Sequence, residues 1–414
     1  MLNRSTKPSL SVFTWLIFFI ATWVPAVLWT ADLEGQTRYW DEVFSGVAVD
    51  SGVLFGANVN LAGQVQLLRL DCYQPIGDAS LKRPLLVWAH GGGFVAGNRS
   101  DLKAKAMCTA YAKRGYVAAS VDYRYGVADT TNPVSYMESI LRTVQDAKAA
   151  VRFFRKNASA YRVDTTRIFF GGSSAGGVTA LLMAYWDQDE IPKGLNPEVG
   201  GLEGNSGNSG YASAVHAVLN CWGGIPDTSW IDAGEPPVAG FHGMLDQTVP
   251  YDIGLSKGGF PLYGSKAVCR IASRLCIYNE LSLQPSMKHG VATQAEMDSL
   301  IRFTSRFLFR VMQRMEQTGV SGGGTGLTGF RLDQNTPNPF NASTAIRFTV
   351  AEAGNVSLNM WNATGRKVAV LMNGPVERGT HRLVFDGSRL PGGVYVIVLT
   401  VKNTRTACKC LLVK

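Results

Sequence analysis

The chain has 414 residues, 46% of them hydrophobic, enough for one large and one small domain, each with its own core. Its formal charge of +9 is unevenly placed: residues 330–414 carry eleven Lys/Arg against four Asp/Glu, Arg4 and Lys7 supply two further cations, and the span 8–329 is balanced. A nucleic-acid enzyme sets its basic stripe beside its chemistry, so this distribution excludes a nucleic-acid role.

Arg4 and Lys7 precede an apolar stretch from Leu10 to Trp29, interrupted by Pro25, with Val24-x-Ala26 as a cleavage-like site. The pattern is that of a secretory signal, so residues 1–35 are expected to be removed on export and to leave no stable membrane span; an uncleaved membrane anchor is the alternative, since the apolar stretch is long enough to span a bilayer. Residues 36 to 75 read as short strands with turns. Beyond them, strands alternate with helical patterns. Leu85–Ala89 is a buried strand running into a glycine run, 101–114 is helical, and Tyr116–Val121 is the next strand. Ile140, Val144, Ala147, Val151 and Phe154 recur at helical spacing and predict a long helix. Ile168–Phe170 is a strand entering the turn Gly172-Ser173-Ser174-Ala175-Gly176, and Val178–Tyr185 continues as a helix.

Residues 188–212 are rich in Gly, Asn and Ser and read as a surface excursion near a pocket mouth. Strands at His216–Cys221 and Val238–Phe241, a helix near 264–275, a strand at Ile277–Leu283 and a closing helix with Leu300, Phe303, Phe307 and Val311 on one face complete residues 36–318. This alternation predicts an α/β domain with a mostly parallel sheet covered on both faces. Gly319–Gly329 is a flexible Gly/Ser/Thr linker. Residues 330–414 then change to short alternating strands, as in an all-β sandwich.

Seven cysteines leave at least one free thiol in a monomer. Cys269 and Cys276 are the nearest candidate pair; Cys408 and Cys410, two apart, point the same way on a strand and are poor candidates for bonding each other. Buried, inert thiols account equally well for most of the seven. No spacing suggests zinc, and neither a metal nor a cofactor is expected.

Reactive groups in parallel sheets gather at the carboxyl ends of strands, and four sequence features fall there. Small residues around Ser174 suit a sharp strand-to-helix turn that lifts its hydroxyl above the sheet. His90-Gly91-Gly92-Gly93-Phe94 suits a donor site for an oxyanion, with the N–H groups of Gly92, Gly93 and Ala175 as candidates. His289 follows the last strand and can serve as base, since an imidazole titrates near neutrality. Asp246 follows the preceding strand and can orient that imidazole. Ser173 competes with Ser174, but the glycines frame Ser174. Asp227 and Asp232 are alternative acids. His242, close to Asp246, reads as structural; His90 reads as a brace for the glycine turn; His216 and His381 are poorly placed as bases.

Residues 66–312 resemble the carboxylesterase and lipase families of the α/β-hydrolase fold. The resemblance rests on the glycine run, Val121-Asp122-Tyr123-Arg124, Val151-Arg152-Phe153-Phe154, Gly172–Gly177 and His242-Gly243 followed by Asp246. It implies ester hydrolysis through an acyl-enzyme without a cofactor, with Ser174, Asp246 and His289 as the triad and a small or medium ester as substrate. An acetyl or feruloyl esterase acting on polysaccharide, a lipase, a peptidase and an inactive surface binding protein are the alternatives. Two departures bear on substrate: Ser173 stands where related esterases often carry Asp, and no glycine-rich turn precedes His289. Residues 330–414 resemble the sorting domain of the bacterial type IX secretion system. Gln334-Asn335-Thr336-Pro337-Asn338-Pro339-Phe340-Asn341, Gly392-Gly393-Val394-Tyr395 and the Leu411–Lys414 end carry that likeness. It implies transit through the periplasm, recognition by the type IX machinery, and release or attachment at the cell surface.

Overall fold

The computed structural model describes residues 37–195, 200–257, 259–317, 330–333, 335–350, 353–401 and 404–414. The export segment expected at 1–35 and the linker at 319–329 lie outside the described residues. No described helix is long and apolar enough to cross a membrane.

The first part of the chain is built on an eight-stranded sheet. In chain order its strands are β1 (Val47–Val59), β2 (Val65–Pro75), β3 (Arg83–Ala89), β4 (Val117–Val121), β5 (Val163–Ser173), β6 (Ala217–Cys221), β7 (Val238–Gly243) and β8 (Asn279–Gln284), and their spatial order is β1-β2-β4-β3-β5-β6-β7-β8. From β4 to β8 every pairing is parallel; β1 and β2 join antiparallel at one edge. Every residue of β3 is buried. A run such as Leu85–Ala89 has no polar face to offer water, so it takes the middle of a sheet covered on both sides.

Alternate residues of each strand feed two separate cores. Leu85, Val87, Ala89, Ala119 and Phe170 pack on the face of α2 (Pro133–Lys156), α3 (Ala175–Tyr185) and α4 (Ser265–Arg274). Leu86, Trp88, Ala118 and Phe169 pack on the face of α1 (Leu102–Lys113) and α5 (Gln294–Gln317). Local signals fix the helix starts. The Asp101 side chain accepts from the N–H groups of Lys103 and Ala104. Asn132 caps α2 directly before Pro133, whose missing N–H costs nothing at a first helical position.

The C-terminal strands are β9 (Phe330–Leu332), β10 (Ser343–Val350), β11 (Gly354–Asn362), β12 (Lys367–Val376), β13 (Gly379–Asp386), β14 (Gly393–Val401) and β15 (Thr404–Leu412). They form two antiparallel sheets, β9-β10-β13 and β12-β11-β14-β15. Alternation governs them: Ile346, Phe348 and Val350 of β10 and Tyr395, Ile397 and Leu399 of β14 enter one core, and their neighbours in sequence are less buried.

Three expectations need correction. The segment before β3 is not a set of short strands but is dominated by one long hairpin, turned by Asn60, whose side chain accepts from the N–H groups of Ala62 and Gln64. Cys269 is buried and Cys276 exposed, and both are free thiols, as are the other five cysteines; Cys408 and Cys410 do face the same core. The described residues of 188–212 do not edge a pocket mouth. They are tied to α2 and β1: Glu203 pairs with Lys148 and Arg152, the Ser206 hydroxyl donates to Asp146, and the Asn208 side chain donates to the Phe55 carbonyl. Buried polar groups on the helix demand these partners.

Candidate active site

Ser174 sits between β5 and α3 with φ 55° and ψ −115°, a backbone conformation that side chains rarely adopt. The surrounding glycines make the turn possible. A Cβ on Gly172 would stand 2.3 Å from the Gly176 carbonyl oxygen, and one on Gly176 would stand 2.1 Å from that of Ala89. The turn is pinned where the Ser174 N–H donates to the Cys221 carbonyl at 2.9 Å. The strained backbone gives the side chain access: Ser174 lines a cavity, while Ser173 is buried and is not among the cavity's lining residues.

Three loops converge on that serine. His289 Nε2 lies 2.8 Å from Ser174 Oγ, and His289 Nδ1 lies 2.7 Å from Asp246 Oδ2. The other carboxylate oxygen of Asp246 accepts from the N–H groups of Thr248 and Val249 at 2.8 and 3.0 Å. Burial alone would raise the Asp246 carboxyl, but hydrogen bonds from His242, His289 and Val249 outweigh it and hold the group well below the usual carboxylate range. Because Asp246 stays an anion and accepts at Nδ1–H, Nε2 is left to face the hydroxyl.

The glycine run supplies the opposite wall. Gly93, with φ 62°, lines the cavity together with Ser174 and Ala175. The Ala175 N–H opens α3 and has no acceptor within its own helix. Gly92 is not among the lining residues; its carbonyl accepts from the N–H groups of Val95 and Ala96, closing the turn that carries Gly93. His90 braces that turn: its ring stacks on Tyr123 at 4.2 Å between centroids, its Nδ1–H donates to the Gly91 carbonyl at 2.6 Å, and burial lowers its pKa.

The other candidates are elsewhere. Asp227 caps a short turn through the Ser229 N–H, and Asp232 is exposed beside Glu235. His216 bonds to the Ile168 backbone, and His381 belongs to β13, where it bonds to the Glu377 carbonyl. In the Asp122-Tyr123-Arg124 stretch, Arg124 makes a buried ion pair with Asp146 at 2.9 Å, and Asp122 pairs with Arg99 at 2.7 Å. Those pairs hold the frame and do not touch the reacting groups.

The cavity has a volume of ≈ 640 Å³, within the range of small-molecule sites. Phe94, Val95, Tyr136, Met137, Ile140, Val178, Phe260 and Leu262 make it mostly apolar, and Lys257 is its one charged lining residue. Tyr136 and Phe260 meet at 4.8 Å between ring centroids. Sequence reading missed these walls. Tyr136 lies in the first turn of α2 and Phe260 in the segment after β7, and no periodicity links them. Among the described residues no cluster of metal-ligating side chains occurs.

A parallel sheet with helices on both faces and a strand-to-helix serine turn at its carboxyl edge define an α/β-hydrolase domain, followed by a C-terminal β-sandwich. Residues 70–226 match the family model BD-FAE, and residues 336–414 match the model described as secretion system C-terminal sorting domain. The chain thus carries a hydrolase domain of the esterase type and a sorting domain of the type IX kind. Solved structures similar to it include Thermogutta terrifontis esterase 2. Its apo form is 22% identical, with 67% of this chain and 96% of that chain covered and a TM-score of 0.46. The same enzyme phosphorylated by paraoxon is 21% identical, with 65% and 95% covered and a TM-score of 0.47.

Proposed function

We propose that the chain is a secreted serine carboxylic ester hydrolase acting through an acyl-enzyme. Ser174 attacks the acyl carbon, His289 Nε2 takes the hydroxyl proton and returns it to the leaving alcohol, and Asp246 orients and stabilises the imidazolium. Water then enters by the same route and releases the acid. The N–H groups of Ala175 and Gly93 receive the oxyanion, and Gly92 shapes the turn that carries Gly93. The observation that carries this reading is the unbroken relay of 2.8 and 2.7 Å from Ser174 through His289 to Asp246 at the edge of an apolar cavity. The aromatic walls Phe94, Tyr136 and Phe260 favour an ester with a bulky apolar or aromatic portion over a simple acetyl ester.

Residues 1–35 serve as the export signal, and residues 330–414 deliver the enzyme to the type IX machinery for release or surface attachment. Residues 36–318 form the catalytic domain and 319–329 the linker. The test is Ser174→Ala. The folded variant is expected to lose nitrophenyl ester hydrolysis by about 10⁶-fold in kcat, the cost seen for removing a triad nucleophile; undiminished turnover overturns the mechanism.

A further inference from the structure

His242 is fully buried near the end of β7, four residues before Asp246, and the relay just described uses none of its atoms. Its surroundings dictate where its proton sits. Nε2 faces two acceptors, Asp246 Oδ2 at 3.3 Å and the Val249 carbonyl at 3.2 Å, so Nε2 must be the donor. Nδ1 faces the Ser265 hydroxyl at 2.9 Å. The direction of that bond is set from further back. The Gly223 N–H donates to Asn220 Oδ1 at 3.0 Å, which fixes the amide and turns Nδ2 toward Ser265 Oγ at 3.1 Å. With that lone pair occupied, the Ser265 hydroxyl is free to donate to Nδ1. A backbone N–H thus specifies, through two side chains, the tautomer with its proton on Nε2.

The chain of bonds ends on the oxygen that also receives His289. Two donors then hold Asp246 Oδ2, and two backbone N–H groups hold Oδ1. The carboxylate has no freedom to turn away from His289. The same network returns to the nucleophile: Asn220 lies on β6, beside the Cys221 carbonyl that pins the Ser174 N–H.

We propose that His242 is a positioning residue of the triad, whose Nε2–H, oriented by Ser265 and Asn220, locks the Asp246 carboxylate in the attitude that receives His289. The proposal rests on the hydrolase reading above. It differs from a packing role in what it predicts, because a locked carboxylate affects the chemical step and not substrate capture.

The experiment uses the full-length exported protein and nitrophenyl butyrate. His242→Phe removes the donor at similar volume, and His242→Gln restores an N–H near Nε2. His242→Phe is expected to lower kcat about 10–100-fold with KM within about twofold, the range typical of outer partners of a reactive group. His242→Gln should recover most of the loss. The low-field proton resonance of the His289–Asp246 bond should shift in His242→Phe and return in His242→Gln. Wild-type kcat in His242→Phe, or equal losses in two folded variants, overturns the proposal. Should His242→Phe fail to fold, Ser265→Ala decides the matter: it leaves His242 buried but releases its tautomer, and an unchanged kcat and resonance contradict the proposal. A wild-type protein without esterase activity would defeat the hydrolase reading instead, and the resonance in wild type against Ser265→Ala would then judge the positioning role by itself.

Discussion

Strand β3 in the parallel sheet and strand β10 in the C-terminal sandwich bury their residues by different rules. All seven residues of β3 are buried, whereas β10 alternates, with Thr344, Ile346, Phe348 and Val350 inside and Ser343 and Arg347 exposed. The first sheet uses both faces for packing and leaves its carboxyl edge for chemistry, which is where Ser174, Asp246 and His289 meet. The second keeps an outward face. On that face Arg347 stands directly opposite Arg382, a like-charge pair that water must screen. One arrangement brings side chains together from loops at a strand edge; the other leaves half of the residues of β10 facing outward.

The contrast can be broken at several places. Removing residues 330–414 in a type IX host should reduce extracellular esterase activity to background while activity accumulates inside the cell; unchanged export would remove the division of labour. Phe170→Ala, in the doubly covered sheet, should cost about 3–5 kcal/mol of stability by denaturant unfolding. Val384→Ala, on the outward face of β13 at 63% exposure, should stay within about 0.5 kcal/mol. Comparable losses at the two positions would contradict the two burial rules.

The smallest expected effect concerns Glu235, whose carboxyl is pushed up to about 8, by burial first and by Asp232, Asp187 and Glu190 nearby. A carboxyl raised in the folded state favours the protonated form, so its contribution is full below the ordinary carboxylate range and is lost as pH rises through about 8. Glu235→Gln should therefore leave Tm unchanged near pH ~4 and raise it by about 2–4 °C above pH ~8. A uniform shift across pH would point to a packing effect.

The legible parts are those where one local requirement acts alone. Glycines crowding Ser174, apolar runs in buried strands and the order of Ser174, Asp246 and His289 each leave a mark in the sequence. The parts not legible depend on partners distant in the chain. Tyr136 and Phe260 become neighbours only when α2 and the segment after β7 fold over the same strand ends. Ser206 looks like loop filler until Asp146 needs its hydroxyl. His242 stands four residues from Asp246, yet its donor direction is set by Asn220 and Ser265, which no spacing rule connects to it.

The most direct measurement is mass spectrometry of the protein after reaction with a fluorophosphonate probe. The account predicts a single adduct per chain on Ser174, abolished in His289→Ala without loss of fold. An unlabelled wild-type protein, or an adduct on Ser173 or another serine, would contradict it.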